Sequence, residues 1–150
     1  MQVSPNMDIK YRLESINEIE YRFNYDFNYD SLNPEMINIQ MGHDMKPLME
    51  EDRIVVSAKV NIVDSLTDTT LASNAISMSF GLSPIKSIIS IDSKGNFATQ
   101  DTLVLDTFII ATIGALRGVL MKNLKGTPLG FITIPLIPIE HFRTANQNRL

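Results

Sequence analysis

The sequence contains no cysteine and no tryptophan, and it has only two histidines among 150 residues. Without cysteine the chain has no disulfide, thiolate metal site or cysteine nucleophile. His43 and His141 each adjoin one acidic residue, Asp44 and Glu140, and direct neighbours rarely reach the same ion. No G-x-S-x-G elbow, G-x-G-x-x-G loop or Walker-type phosphate loop occurs. We therefore expect no catalytic residues, no cofactor and no metal.

Positive charge is also scarce. The sequence has 13 Lys and Arg residues and 17 Asp and Glu residues, which gives a net charge of −4. No basic patch appears. This balance disfavours a nucleic-acid partner. The first residues, MQVSPNMDIK, lack a basic region followed by an apolar run, so they do not resemble a secretory signal. The cytoplasm is the expected location.

Long uncharged apolar runs are absent as well. Asp106 and Arg117 break the most apolar region and leave an uninterrupted run of nine positions, Phe108 to Leu116. A membrane-spanning helix needs about 20 such residues. We therefore expect no membrane insertion. With 150 residues and 44% apolar content, the chain suits a single domain, residues 1–150, with its own core.

Alternation of apolar and polar residues predicts an antiparallel sheet within residues 8–82, apolar on one face and polar on the other. Short polar connections separate the runs, except for a longer predicted loop, Gly42–Asp52. The four predicted strands are Ile9–Tyr29, Met36–Met41, Arg53–Asp64 and Leu71–Leu82.

The first predicted strand carries an unusual aromatic face. Alternation places these residues on one side: Ile19, Tyr21, Phe23, Tyr25, Phe27 and Tyr29. At about 3.3 Å per residue this face would be roughly 27 Å long, too long for one helix to hide beside three other strands. Half of it suits a core, and the rest suits a groove or an interface, where tyrosine tolerates partial wetting.

A long helix is predicted within residues 101–125, from about Thr102 to Leu124. Thr99 and Asp101 are candidate caps, and Gly126 with Pro128 ends the helix. A surface helix needs an apolar stripe of only about 100°, and this helix is apolar over a wider arc. It should therefore meet the sheet and also a partner chain, a ligand or the segment that follows.

Residues 126–142 carry three prolines, which exclude a continuing helix and a central strand. Their apolar residues must still leave water. We therefore expect an extended segment against the helix or the sheet edge. Between the sheet and the helix, residues 85–91 suit a short helix and residues 92–96 a turn.

This order of elements resembles the SecB-like chaperone family. Leu13–Phe23 is similar to the family's opening strand, and Ile54–Leu82 resembles its middle hairpin. The most specific likeness covers Ala111–Phe142, with Arg117 in the helix, a Gly-Thr-Pro break and Pro135 before an Ile-Pro-Ile-Glu-His-Phe ending. The spacing from the break to Pro135 is longer than the family pattern, and no second helix is expected after Phe142.

The resemblance implies an α+β chain that binds non-native polypeptides in apolar grooves, without nucleotide, as a homo-oligomer, either a dimer or a tetramer. Two alternatives stay open: an adaptor for one partner, such as an antitoxin, and a small-molecule-binding α+β domain. A link to protein export is also open. The candidate polypeptide-binding or interface residues are Tyr21, Phe23, Tyr25, Phe27, Phe108, Leu116, Leu129, Phe131 and Ile134.

Overall fold

The computed structural model describes residues 8–99 and 101–142. Four strands form one antiparallel sheet in the order β1-β4-β3-β2, so that β1 and β2 are its edges. The strands are β1 Lys10–Phe23, β2 Ile37–Leu48, β3 Arg53–Asp64 and β4 Thr69–Ser83.

A connecting segment follows the sheet and leads to one long helix. It consists of α1 (Ile85–Ile88) and a small hairpin of β5 (Ile89–Ile91) and β6 (Phe97–Thr99). The long helix, α2, runs from Thr102 to Leu124. The predicted α+β class, with a four-stranded antiparallel sheet and one long C-terminal helix, is confirmed.

The apolar face of the sheet supplies most of the core. On β3 and β4 the alternation expected from the sequence is observed, because the apolar residues of one face are buried: Ile54, Val56, Ala58, Val60, Ile62, Ala72, Ile76, Met78, Phe80 and Leu82. Helix α2 packs over these two central strands, with Leu116, Leu120 and Leu124 fully enclosed. The two edge strands lie to either side of the helix.

The ends of α2 follow the predicted signals. The Asp101 carboxylate caps the helix by accepting from the backbone N–H of Val104 at 3.3 Å. Thr99 supports the cap, since its hydroxyl accepts from the N–H of Asp101 at 3.0 Å. Past the C-terminus, Gly126 takes φ +81°, a backbone conformation that glycine adopts without steric cost.

The segment 126–142, which we call the strap, packs against the flank of α2 that faces β2. After a turn at residues 127–131 it is extended through residue 138 and ends in one helical turn. Its buried side chains join the core: Leu129, Ile132, Ile134 and Phe142. The ring of Phe142 packs edge-on against His43 of β2, with the ring centroids 5.3 Å apart. The strap therefore covers the β2 side of the helix.

The prediction that the first strand reaches Tyr29 is wrong, because β1 ends at Phe23. The chain bends where asparagine side chains bind the backbone two residues ahead. Asn24 accepts from the N–H of Asp26 at 2.9 Å and Asn28 from that of Asp30 at 3.2 Å. Such local hydrogen bonds compete with strand pairing. Alternation alone did not reveal this competition.

The predicted loop Gly42–Asp52 is also wrong over most of its length. Strand β2 continues to Leu48 and pairs with β3 along its whole length. Gly42 and Pro47 suggested a loop, yet an edge strand tolerates both because one of its sides forms no ladder. The actual connection is one short helical turn, Met49–Glu51, followed by Asp52 at φ +48°.

Ion pairs cross the polar face of the sheet over small residues of β4. Glu14 on β1 accepts from Arg53 Nε on β3 at 2.9 Å, passing over Gly81. Glu20 pairs in the same way with Lys59 Nζ at 3.0 Å. The hydrogen bond from Arg53 lowers the pKa of Glu14, and the hydrogen bond from Lys59 lowers the pKa of Glu20.

These lowered pKa values predict a loss of stability in acid. Carboxylates whose pKa is lower in the folded chain stabilise it above their unfolded pKa of about 4.5, and this contribution disappears as pH falls through the folded pKa. The Glu14→Gln/Glu20→Gln variant should melt below the wild type at neutral pH, and the difference should shrink as pH falls below the unfolded pKa and the carboxylates become protonated. Glu35→Gln, at an exposed carboxylate outside the sheet, is the control. A difference in melting temperature that persists unchanged into acid would contradict the assignment.

The core predicts a strong contrast between two identical substitutions. Leu120 lies on the sheet-facing side of α2 and is fully buried, whereas Leu66 is exposed in the turn between β3 and β4. Leu120→Ala should lower the free energy of unfolding by about 2–5 kcal/mol, and Leu66→Ala by no more than about 0.5 kcal/mol. Urea unfolding followed by circular dichroism measures both. Equal losses would show that α2 does not pack on the sheet in this way.

Candidate polypeptide-binding site and subunit interface

Edge strand β1 leaves an apolar strip uncovered on the helix side of the sheet. Directly opposed residues of an antiparallel pair share a face. The strip residues therefore face the same side as buried residues of β4: Tyr11 opposite Leu82, Leu13 opposite Phe80, and Ile16 opposite Met78. Their partners are buried, yet Tyr11 and Leu13 are 50% exposed and Ile16 is 48% exposed. Because α2 lies over β3 and β4, this part of the apolar face is open to solvent.

One flank of α2 forms the opposite side of this opening. Phe108 stacks on Phe80 with ring centroids 4.3 Å apart and meets the edge of the Tyr11 ring at 5.7 Å. Ala115 and Val119 share the Phe108 flank of the helix at about 100° per residue, and both are only partly buried. We call the opening between the strip (Tyr11, Leu13, Ile16) and this flank the β1 groove.

A polar cluster closes the β1 groove near the C-terminal end of α2. The side chain of Asn123 donates to the Glu18 carboxylate at 2.8 Å and to the amide oxygen of Asn74 at 3.0 Å. Asn74, which is fully buried, donates to the same carboxylate at 3.0 Å and to the Glu20 carbonyl at 2.8 Å. These contacts tie β1, β4 and α2 together. We call Glu18, Asn74 and Asn123 the clasp.

The aromatic run gathers into a cluster beyond the clasp. Phe23 lies 4.8 Å from Tyr25 and 5.5 Å from Tyr29 between ring centroids, and Phe27 lies 5.2 Å from Tyr29. The hydroxyl of Tyr21 donates to the carbonyl of Asn123 at 3.1 Å, and that of Tyr29 donates to the carbonyl of Asn24. Burial raises the pKa of both tyrosines, so they stay neutral donors at physiological pH.

The nine residues predicted as candidates fall into three environments. Phe108, Leu116, Leu129 and Ile134 are buried in the core, whereas Tyr25 is 80% exposed and Phe131 59% exposed. The remaining three pack partly against the core: Tyr21, Phe23 and Phe27. The four residues of the aromatic run lie together beyond the clasp, and Leu129, Phe131 and Ile134 belong to the strap.

The strip itself was missed among the predicted candidates. The alternation placed Tyr11 and Leu13 on the apolar face, but it gave no sign that the helix would stop short of them. The length of the sheet relative to the width of one helix was the available signal. Ile16 lies between two register shifts, after Leu13 and after Glu18, where alternation fails.

The outward side of α2 carries a stripe of uncharged, mostly apolar residues. At about 100° per residue its residues form one stripe: Leu103, Thr107, Ile110, Gly114, Gly118 and Met121. Leu103, Ile110 and Met121 are exposed, and a Cβ built on Gly118 would meet no atom within 4 Å. By length and composition Thr102–Leu124 could cross a membrane, but 50% of its most apolar 18-residue window is buried, as in the core helix of a globular fold.

The described residues offer little for small-molecule or metal chemistry. No group of three His, Asp or Glu residues within 8–99 and 101–142 is arranged to hold a metal ion. A cavity of about 240 Å³ lies beside α1 and the β5–β6 hairpin, with Lys86 and Thr99 among its lining residues. Ligand pockets are usually about 300–1,000 Å³. The β1 groove is therefore the stronger candidate for a binding site.

The architecture is that of a SecB-like chaperone fold. Among solved structures, the chain is similar to the Mycobacterium tuberculosis SecB-like chaperone Rv1957, solved in complex with a ChAD peptide from the Rv1956 HigA1 antitoxin. The TM-score is 0.53 at 10% sequence identity, covering 85% of this chain and 90% of that one. The resemblance expected from the sequence is thus confirmed at the level of the fold.

A second similarity is weaker, and sequence comparisons add none. A protein of unknown function from Streptococcus agalactiae aligns over 86% of this chain and 99% of its own, at 12% identity, but with a TM-score of 0.33. That score is too low to support an argument. No protein-family model and no curated protein matches the sequence.

The clasp yields a stability prediction. Asn74→Ala would leave the Glu18 carboxylate with one donor fewer and the Glu20 carbonyl without its amide partner. The free energy of unfolding should fall by about 1–3 kcal/mol. Asn17→Ala, at an exposed position of β1, should change it by no more than about 0.5 kcal/mol. Equal effects in urea unfolding would show that the clasp does not join the helix to the sheet edge.

Proposed function

We propose that this protein is a holdase-type chaperone that binds non-native polypeptide in the β1 groove, working in the cytoplasm as one domain. The observation that carries the proposal is the exposed strip Tyr11, Leu13 and Ile16, which lies on the core-facing side of the sheet in a SecB-like fold. An apolar strip left open on the core side is costly in water. A bound apolar segment would remove that cost.

The shape of the groove favours an extended chain over a compact ligand. The strip follows an edge strand, whose outer backbone groups are available for pairing with an added strand. Side chains of the added strand would alternate toward the strip and toward solvent. Binding of this kind needs no nucleotide, because a holdase acts by mass action on the unfolded state.

The outward stripe of α2 supports self-association with a second copy of this chain. The stripe is about 27 Å long from Leu103 to Met121, at about 1.5 Å per residue, and it carries no charge. Two glycines four residues apart, Gly114 and Gly118, allow a second helix to approach closely. A symmetric pairing places this stripe against itself and hides both copies at once. Further pairing of such dimers would give a tetramer.

A second candidate is an adaptor that serves one partner protein. Rv1957, a solved structure with the shared fold, was solved in complex with a peptide from an antitoxin. The clasp and the aromatic cluster close one end of the β1 groove, which favours a segment that stops at a fixed position. Binding one chain tightly while leaving aggregation of unrelated unfolded proteins unchanged would favour the adaptor over the general holdase. Neither candidate requires a role in export.

The proposal predicts loss of holding when the strip becomes charged. Leu13→Glu/Ile16→Glu should weaken suppression of aggregation of a denatured model protein by more than about tenfold, because burial of two aliphatic side chains is lost. Leu66→Glu, an equal change at an exposed turn, should hold as well as the wild type. Light scattering measures holding and circular dichroism checks the fold. A charged strip that holds equally well would refute this site.

Self-association predicts opposite effects of one substitution. Gly118→Ala should stabilise the dilute monomer by up to about 1 kcal/mol, because alanine favours helix and the added Cβ meets no atom within 4 Å. The same methyl group should weaken assembly by preventing close helix contact. Thermal unfolding in dilute solution and light scattering after gel filtration measure the two effects. A wild-type protein that remains monomeric, or a variant that assembles equally tightly, would contradict the interface.

A further inference from the structure

The strap resembles a bound polypeptide more than an integral part of the sheet or helix. Its extended portion, residues 132–138, is in neither helix nor strand. Across residues 8–99 and 101–142, no backbone-to-backbone hydrogen bond joins residues 133–137 to the sheet or to α2. The turn before it is held locally, with the N–H of Gly130 donating to Thr127 and that of Ile132 to Leu129, each at 3.0 Å.

One side chain holds the backbone of the extended portion. Arg117 of α2 donates from Nε to the carbonyl of Ile134 at 2.7 Å and from Nη2 to the carbonyl of Pro135 at 3.0 Å. Both acceptors are main-chain atoms, which every residue type supplies. An arginine fork aimed at two successive carbonyls therefore recognises an extended chain regardless of its sequence.

Side-chain burial in the strap alternates. Ile132 and Ile134 are buried, whereas Thr133 and Pro135 are exposed. The alternation ends there, because Leu136 is 88% exposed. Alternate side chains inserted into an apolar surface, together with fixed donors to the main chain, are how extended peptides are bound elsewhere. The surface under the strap thus has both features of a peptide-binding site.

We propose that the seat of the strap, between Arg117 on α2 and His43 on β2, is an exchangeable polypeptide-binding site. An extended client segment with aliphatic residues at alternate positions displaces residues 132–142 and takes over the two donors of Arg117. This inference rests on the proposed function and adds a second site on the opposite flank of α2 from the β1 groove.

The tethered strap sets the selectivity of this site. A segment covalently attached beside its seat competes at a high effective concentration. The apparent affinity of a client is reduced by the fraction of molecules in which the seat is occupied. Weakly apolar segments therefore fail to enter, and strongly apolar, extended segments succeed. Proline is tolerated because no strand ladder is required.

Thiol labelling tests displacement directly, since the chain has no cysteine of its own. Ile134→Cys places a single thiol at a buried strap position, and Leu120→Cys places one at a buried position beneath α2. The probe is a synthetic peptide with the sequence of residues 126–142. Saturating peptide should accelerate labelling of the residue 134 thiol at least about tenfold and leave that of residue 120 unchanged.

A second variant locks the strap in place. It gives an independent test in case the first variant fails to fold. His43→Cys/Phe142→Cys joins two contacting positions through a short bis-maleimide, and the uncrosslinked protein is the matched control. The same synthetic peptide, carrying a fluorescent label, reports binding. Crosslinking should weaken its binding at least about tenfold. Unchanged labelling at residue 134 together with equal peptide binding by locked and unlocked protein would overturn the inference.

The readouts separate this inference from the proposed function. If the peptide displaces the strap but the protein fails to hold an unfolded client, the exchangeable seat stands and the holdase proposal falls. If the protein holds clients through the strip while the strap never opens, the holdase proposal stands and the exchangeable seat is refuted.

Discussion

The structure depends on an unequal match between one helix and four strands. A helix with its side chains is about 10–12 Å wide, whereas four strands at about 4.8 Å spacing make a sheet nearly twice that width. Helix α2 covers the two central strands, whose apolar residues are almost fully enclosed. Helix α2 therefore does not cover the apolar faces of the two edge strands, which must be covered by other segments or remain exposed.

The two edges of the sheet receive different treatment. On the β2 side the strap returns along α2, buries Ile132, Ile134 and Phe142, and is held by Arg117. On the β1 side no described segment returns, and the strip remains exposed. The clasp fixes the distance between β1 and α2, because Asn74 and Asn123 satisfy one another and Glu18 in a single arrangement. These contacts tie the sheet edge to α2 at one end of the β1 groove.

The same features account for the similarity to a fold of which one solved member, Rv1957, is only 10% identical to this chain. What the two have in common is an order of elements, and many sequences satisfy it. The residues proposed to determine what is bound are particular to this chain: an aromatic cluster beyond the clasp, a strip of three apolar side chains and a strap with two alternate isoleucines. These details, more than the fold, define the chemistry proposed for the protein.

Elements with local signals could be predicted from the amino-acid sequence. Capping by Asp101 and the break at Gly126 set the bounds of α2, and strict alternation set the inward faces of β3 and β4. The tertiary structure decided which apolar surfaces remain exposed, since coverage depends on helix width and on where the strap returns. It also decided the positions of Tyr25 and Phe27. The side chains of Asn24 and Asn28 accept hydrogen bonds from the backbone where the chain bends, and alternation carries no information about that competition.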